Sequence, residues 1–275
     1  MCIIHKPNRA DYTLTKNFHP ILLLECLGKL LKKIIVKLIY WDMAKHALVP
    51  TNQFGGCNSS STLDTGLTLL HDIQLAQQAR LKTGLLLFDI QGFFDNVNHN
   101  RLTQILEDLG FALELVLWCK SFLKDRSVRL HFNGRNSDPF NFIIGTPQGS
   151  PVSPALSILY TSPLLHKMKT RSNALLGMYI DDSAIFACSK DWPTVEETLR
   201  NGYHTCIMWL TNVGLNAKPD KTELIYFRRH GECTGCEPPP YIHLPLPSLN
   251  MYYRVPCSNT LRYLGFFFDH KLDWK

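Results

Sequence analysis

The succession of apolar and polar positions divides the chain into helical and extended segments. Residues 21–46 carry Leu23, Leu27, Leu30, Leu31, Ile34, Ile35 and Leu38 at helical spacing, and Pro50 follows. This predicts an amphipathic helix that ends before the proline. A polar, glycine-rich stretch from Asn52 to Thr62 leads into a second predicted helix through Gln78. Leu85 to Asp89 is a short apolar run of the kind a buried strand requires. Helices follow from Asn98 to Leu109, stopped by Gly110, and from Ala112 to Leu123. Ser127–Phe132 and Phe140–Ile144 flank Asn133-Gly134, a hairpin-turn pair. The loop from Gly145 to Pro151 feeds a helix near Pro154, which Pro163 kinks or restarts, with Ser162 as its cap. Met178–Ile180 and Ala184–Cys188 predict a hairpin with Asp181 and Asp182 at its tip. A long helix runs from Trp192 to near Gly214, and Glu223–Phe227 is a strand. The aperiodic stretch from Arg228 to Asn259 is rich in Pro, Gly and Cys and reads as a loop or linker. Thr260–Phe268 reads as a final strand.

With the first hairpin set aside as an insertion, the order from Leu85 to Phe227 is β-α-β-β-α-β, a ferredoxin-like arrangement in the α+β class. That order puts the third strand between the first two, antiparallel to the first. The end of the first strand then lies beside the hairpin tip, and Asp89 meets Asp181 and Asp182. Carboxylates gathered at a strand end are costly to desolvate unless a cation sits between them. Hard divalent metals take such oxygen ligands, and two of them can clamp an in-line phosphoryl transfer. On these residues alone the chain is a candidate nucleotidyl transferase.

Composition changes this picture only slightly. The 275 residues are 45% hydrophobic, enough for a sizeable core, and 29 Lys+Arg against 23 Asp+Glu give a formal charge of +6. A mildly basic balance suits a polyanionic partner without requiring one. Nine cysteines without a regular framework point to free thiols in a reducing, intracellular compartment. Met1–Pro7 lacks a signal-peptide apolar core. Ile21–Ile39 is interrupted by Glu25, Lys29, Lys32, Lys33 and Lys37, so no membrane span is expected. Cys233 and Cys236, with His230, His243 or Cys257, leave a zinc-binding module open as a rival, although one short pair is a weak zinc signature.

Five motifs then occur in order. They are Phe88-Asp89-Ile90-Gln91-Gly92-Phe93-Phe94-Asp95, Thr146-Pro147-Gln148-Gly149-Ser150-Pro151, Tyr179-Ile180-Asp181-Asp182, Gly214-Leu215-Asn216 with Lys221-Thr222-Glu223, and Leu261-Arg262-Tyr263-Leu264-Gly265. Together they resemble the reverse transcriptase domain of non-LTR (LINE-type) retrotransposons, from about Lys6 to Trp274. The resemblance implies a right-hand polymerase core. Partial fingers would span 1–84, and the palm 85–228, with a finger-like insertion near 111–145. Residues 229–275 would hold a loop, the primer-grip strand and the start of a thumb.

The same resemblance implies roles. Asp89 and Asp181 would hold two Mg²⁺ ions, with Asp182 in support. Lys221 is either a general acid for pyrophosphate or a solvated surface charge. Ile90, Gln91, Gly92, Phe93, Phe94, Gln148 and Gly149 would line the nucleotide, Phe94 excluding a 2′-hydroxyl and Phe93 packing in the core. Ser150, Tyr179, Tyr263, Leu264 and Gly265 would meet primer and template. Asp95 is expected to cap the following helix. The implied partners are an RNA template, a DNA primer and dNTPs, with no membrane and no dedicated protein partner. The implied place is the nucleus or the cytoplasm.

The chain also departs from the family pattern. His19-Pro20-Ile21 replaces the usual Arg-Pro-Ile, and Phe54 to Thr62 lacks the usual arginines. Neutral His or Cys cannot bind phosphate as Arg does, which leaves Lys6 and Arg9 as the nearest cations. The match begins inside the fingers and stops after the primer grip, with no endonuclease before it and no complete thumb after it. A truncated copy is therefore expected, and a catalytically inactive fragment that only binds RNA or DNA is the alternative.

Overall fold

The computed structural model describes residues 1–7, 11–14, 17–23, 25–48, 50–57, 60–229, 237–246 and 251–273. In chain order the first elements are β1 (Cys2–His5), β2 (Phe18–Ile21), α1 (Cys26–Lys45), α2 (Thr62–Gln78), β3 (Lys82–Asp89), α3 (His99–Asp108) and α4 (Leu113–Leu123). Next come β4 (Arg126–Val128), β5 (His131–Phe132), β6 (Arg135–Asn136), β7 (Phe140–Phe142), α5 (Val152–Arg171), β8 (Leu175–Tyr179) and β9 (Asp182–Ser189). The last are α6 (Trp192–Asn212), β10 (Glu223–Phe227), β11 (Tyr241–Leu246), β12 (Met251–Pro256), β13 (Thr260–Tyr263) and β14 (Phe266–Asp269). The chain forms two compact units that interleave along the sequence. Met1–Leu48 joins Gly92–Tyr160, and Val49–Gln91 joins Thr161–Lys275.

The second unit is built on a four-stranded sheet ordered β10-β3-β9-β8, with every neighbouring pair antiparallel. β3 is an inner strand, buried from Thr83 to Asp89, which explains its unbroken apolar run. Alternate side chains of a strand face opposite ways. Leu85 and Leu87 therefore join Leu69 and Ile73 of α2, and Leu261 and Phe268 of β13 and β14, in one cluster. Phe88 faces the other way and meets Tyr203 of α6 edge-on, with ring centroids 5.5 Å apart. Truncating a fully buried leucine here to Ala would cost about 2–5 kcal/mol. Both helices start with side-chain caps. Ser61 and Asp64 form a capping box for α2, and Asp191 accepts from the Thr194 N–H at the start of α6.

Two predictions fail in the second unit. The stretch read as a linker contains the β11–β12 hairpin. Buried Ile242 and Leu244 flank exposed His243, a period-two signal that Pro245 and the surrounding prolines hide. The segment read as one final strand is a hairpin turning at Leu264 and Gly265, both at positive φ.

The first unit holds a sheet ordered β2-β1-β5-β6, a separate β4–β7 ladder, and the α3–α4 pair. Here the predicted helix over 21–46 begins only at Cys26, because Phe18–Ile21 pairs with Cys2–His5. Much of its apolar stripe stays exposed, 82% at Leu27 and 52% at Leu38, while Ile39 and Met43 are buried. The hairpin expected across residues 127–144 splits. Asn133-Gly134, at φ +48° and +74°, turns β5 into β6, whereas β4 pairs with β7 outside it. α5 runs through Pro163 without a break, so Ser162 is a buried helical residue and not a cap.

Candidate active site

The second unit brings the three predicted carboxylates to one end of its sheet. Asp89 ends β3 and is directly opposite Asp182, the first residue of β9. Facing residues of an antiparallel pair project to the same side. Asp181 lies in the two-residue turn between β8 and β9, which closes where Tyr179 pairs with Asp182. The Ile90 N–H donates to the Asp181 carbonyl at 3.2 Å and ties the turn to the end of β3. The sequence placed both aspartates at the hairpin tip; register puts only Asp181 there.

The turn is strained. Ile180 has φ +61°, a region where a β-branched residue is a genuine outlier. Such a conformation costs of order 1–3 kcal/mol and persists only where its surroundings enforce it. The enforcing element is a strap over Asn52–Gly55. The Phe54 and Gly55 N–H groups donate to the Met178 carbonyl at 3.0 and 3.4 Å, and the Met178 N–H donates to the Asn52 carbonyl at 3.1 Å. The Asn52 amide also reaches the Leu176 carbonyl. A Cβ on Gly55 would stand 2.6 Å from the Ile180 nitrogen and 2.7 Å from the Tyr179 Cα. Gly55 carries no sequence signal for this role beyond its neighbouring glycine, since glycine permits close backbone approach.

The other flank of β3 is held by the segment before β10. Gln91 N–H donates to the Asn216 carbonyl at 2.7 Å, and Lys218 N–H to the Asp89 carbonyl at 2.9 Å. A 3₁₀ turn follows over Pro219–Lys221. Lys218 and Lys221 both reach Asp89 Oδ2, with Nζ at 3.1 and 3.0 Å. That oxygen accepts no further hydrogen bond among the described residues, so its partners are two ammonium groups. Lys218 was not anticipated. Its only sequence signal is its spacing from Lys221.

Electrostatics separate the carboxylates. Burial raises Asp181 above the ordinary aspartate range, the Asp89 charge adds to this, and its backbone bond, Lys221 and Lys218 oppose it. Asp182 is pushed up to about 6 by desolvation, then by the charges of Asp181 and Asp89, with Lys221 opposing. Its side chain remains exposed, so water tempers the desolvation. Tyr263 on β13 is buried, and its hydroxyl is raised first by burial and then by Asp182. That hydroxyl has no hydrogen-bond partner among the described residues. Leu264 and Gly265 form the turn beyond it.

The remaining predicted residues divide between the units. Ile90 and Gln91 belong with the carboxylates. Gly92, Phe93, Phe94, Gln148, Gly149 and Ser150 belong to the first unit. There Gly92 has φ +52° and Gly149 φ +98°, Phe93 is buried, and Phe94 is half-buried with its ring 5.7 Å from that of Phe93. Gln148 donates to Asp95 Oδ1 at 3.2 Å. The Ser150 hydroxyl accepts from the Val152 N–H at the start of α5. Asp95 does not cap α3. Asn98 does, accepting from the Arg101 N–H at 3.0 Å, because it is the residue just before the first helical turn.

The sequence profile of the family described as "Reverse transcriptase (RNA-dependent DNA polymerase)" matches residues 4–268. The chain belongs to the reverse transcriptase family. It is 28% identical over 224 residues to the probable RNA-directed DNA polymerase from transposon BS of Drosophila melanogaster, covering 80% of this chain and 24% of that protein. It is 26% identical over 278 residues to the RNA-directed DNA polymerase from mobile element jockey of the same species, covering 99% and 29%. The non-LTR resemblance accords with these relatives, and the chain spans roughly a quarter of their length. Among solved structures, apo telomerase from Candida tropicalis truncated from its C-terminal domain aligns at TM-score 0.57 and 14% identity, over 88% of this chain and 44% of that one. The reverse transcriptase fold is shared at that distance.

Two expectations remain outside this geometry. Cys233, Cys236 and His230, and likewise Arg9, lie outside the described residues. Among the described residues no group of three or more His, Cys, Asp or Glu is arranged to hold a metal ion. No helix among them is long and apolar enough to cross a membrane.

Proposed function

We propose that this chain is the catalytic portion of an RNA-directed DNA polymerase of a retrotransposon, adding dNTPs to a DNA primer 3′-hydroxyl on an RNA template. The carrying observation is the meeting of Asp89, Asp181 and Asp182 at one sheet end in a chain of this family. The sheet order β10-β3-β9-β8 supports a ferredoxin-like palm over 85–228. In this reading 1–84 supply partial fingers and 229–275 the primer grip and thumb start. Its work is intracellular, in the nucleus or the cytoplasm.

Reverse transcriptases use divalent metal ions, and we assign two Mg²⁺ to Asp89, Asp181 and Asp182. The donor set fits. Three hard oxygen ligands lie at one sheet end, Asp181 and Asp182 are raised first by desolvation and then by neighbouring carboxylate charge, and a bound cation would offset both. Asp89 must exchange its two ammonium partners for this. When bound, such ions lower the pKa of the primer hydroxyl and neutralise the triphosphate. The chain's own groups do the rest. Lys221 donates a proton to the departing pyrophosphate. Phe94 excludes a 2′-hydroxyl, and Gln91, Gly92, Gln148 and Gly149 border the nucleotide. Tyr179, Ser150, Tyr263, Leu264 and Gly265 steady primer and template.

A silent nucleic-acid binder is the second reading, favoured by the lack of arginine between Phe54 and Thr62. Primer extension with Mg²⁺ on an RNA template separates the two. Template-dependent incorporation is expected, falling at least about a hundredfold in Asp89→Asn and Asp181→Asn, the scale of losing a principal electrostatic group. Incorporation unaffected by either change would overturn the site, and no incorporation by the unaltered chain would favour the silent binder.

A further inference from the structure

We infer that Lys218 is the resident counter-ion of Asp89, an ammonium that a divalent cation must displace before it can bind. The inference rests on the proposed reading of Asp89 as a metal ligand and extends it to a residue with no role in that reading.

Three observations carry it. First, the position of Lys218 is fixed by backbone. Its N–H donates to the Asp89 carbonyl at 2.9 Å, and the preceding residue, Ala217, forms an antiparallel bridge with Ile90. The base of the side chain thus stands beside Asp89 whatever the ammonium does. Second, Pro219 starts a 3₁₀ turn in which the Lys221 N–H donates to the Lys218 carbonyl at 3.1 Å. Lys218 is the extended residue that caps this turn and Lys221 is its last residue, so that hydrogen bond holds the two lysine backbones close together. Lys218 and Lys221 accordingly converge on one oxygen, Asp89 Oδ2, at 3.1 and 3.0 Å. Third, the carboxylate is buried, its side chain only 10% exposed, while the lysine side chains are 37% and 58% exposed. A desolvated carboxylate needs a cation, and cations that stay half in water can leave at low cost.

The facing charges make this an exchange. Asp89 is approached by Lys218 and Lys221 from the turn before β10, and by the carboxylates of Asp181 and Asp182 from the β8–β9 hairpin. A divalent cation entering among the three carboxylates repels both ammonium groups. Lys221, the more exposed, withdraws readily. Lys218 is anchored by its backbone and competes. Displaced, it stays within a side chain's length of the site, where an anionic triphosphate would be its next partner.

The test measures metal binding without turnover. Mn²⁺ binding to the chain is followed by electron paramagnetic resonance in about 0.5 M salt, where the field of a distant charge is screened. The expected result is that Lys218→Met binds Mn²⁺ roughly three- to tenfold more tightly than the unaltered chain, the scale of a partly exposed ion pair. Its melting temperature in metal-free buffer should fall, and Lys218→Arg, which keeps the charge, should show no gain. Lys218→Gln replaces the Met variant if that one fails to fold. Asp89→Asn separates the two ideas. If it binds Mn²⁺ as well as the unaltered chain, the metal reading of Asp89 fails and the counter-ion falls with it. If it loses binding while Lys218→Met matches the unaltered chain, only the counter-ion is overturned.

Discussion

Asp182 shows how one residue's surroundings set a testable pH response. Its carboxyl is pushed up to about 6 from an ordinary 3.8, by desolvation and then by the Asp181 and Asp89 charges. A raised folded-state pKa means that the folded chain binds the extra proton between those two values. Stability contributed by the protonated form is therefore present at low pH and lost as pH rises from about 4 to about 6. The exposed side chain limits the size of the effect to about 1 kcal/mol after solvent screening. Asp182→Asn, compared with the unaltered chain by urea unfolding in metal-free buffer, should differ little near pH 4 and be more stable by up to that amount near pH 7.5. An equal difference at both pH values would remove the charge crowding from the account. The three aspartates were legible in the sequence because each closes or follows an apolar run. Lys218 was not, because a lysine pair three apart reads as solvated surface until the backbone bond of Lys218 to Asp89 and the turn that follows bring both to a buried carboxylate.

At the scale of elements, the inner strands were legible and the devices that fix them were not. The apolar run of β3 and the hairpin of β8 and β9 follow from periodicity, since burial on both faces or on one dictates the pattern. The Asn52–Gly55 strap has no periodicity. Its contribution is backbone hydrogen bonding against Met178 and a missing Cβ beside Ile180. The β11–β12 hairpin escaped for a different reason, because prolines mask the period-two pattern of its buried Ile242 and Leu244. Polar contacts also tie it to α6, with Tyr253 bonded to Tyr203 at 2.8 Å and the Arg200 Nε donating to the His243 carbonyl at 3.1 Å. The strap yields a clear expectation. In Gly55→Ala the new methyl meets backbone atoms of the Tyr179-Ile180 turn, which cannot step aside as a flexible side chain can. The cost should be about 1–3 kcal/mol of stability, with DNA synthesis falling further than the unfolded fraction explains because Asp181 is carried by that turn. Unchanged urea unfolding and unchanged primer extension would show that the strap does not set the turn.

The whole molecule brings together stretches that a linear reading keeps apart. Val49–Gln91 packs with Thr161–Lys275, and Met1–Leu48 with Gly92–Tyr160, so each unit is sealed by pairings such as Cys2 with Ile21 that no local pattern announces. The strand order read from periodicity already brought Asp89 beside Asp181, and the family motifs added the chemistry that such a meeting implies. The charge of the chain belongs to this scale too. With 29 Lys+Arg against 23 Asp+Glu, a polymerase of this family should hold its template largely through phosphates, and each phosphate neutralised by Lys or Arg releases counter-ions. Binding to an RNA–DNA primer-template should therefore weaken by at least about tenfold between roughly 50 and 200 mM salt, the response of a few such contacts. Fluorescence anisotropy across that range measures it directly. Asp89→Asn should keep the same salt slope while losing incorporation, since the role proposed for Asp89 is in chemistry and not in phosphate capture. A flat salt response would mean that the basic residues do not face nucleic acid, and would weaken the active and the silent readings equally, because both require the chain to bind it.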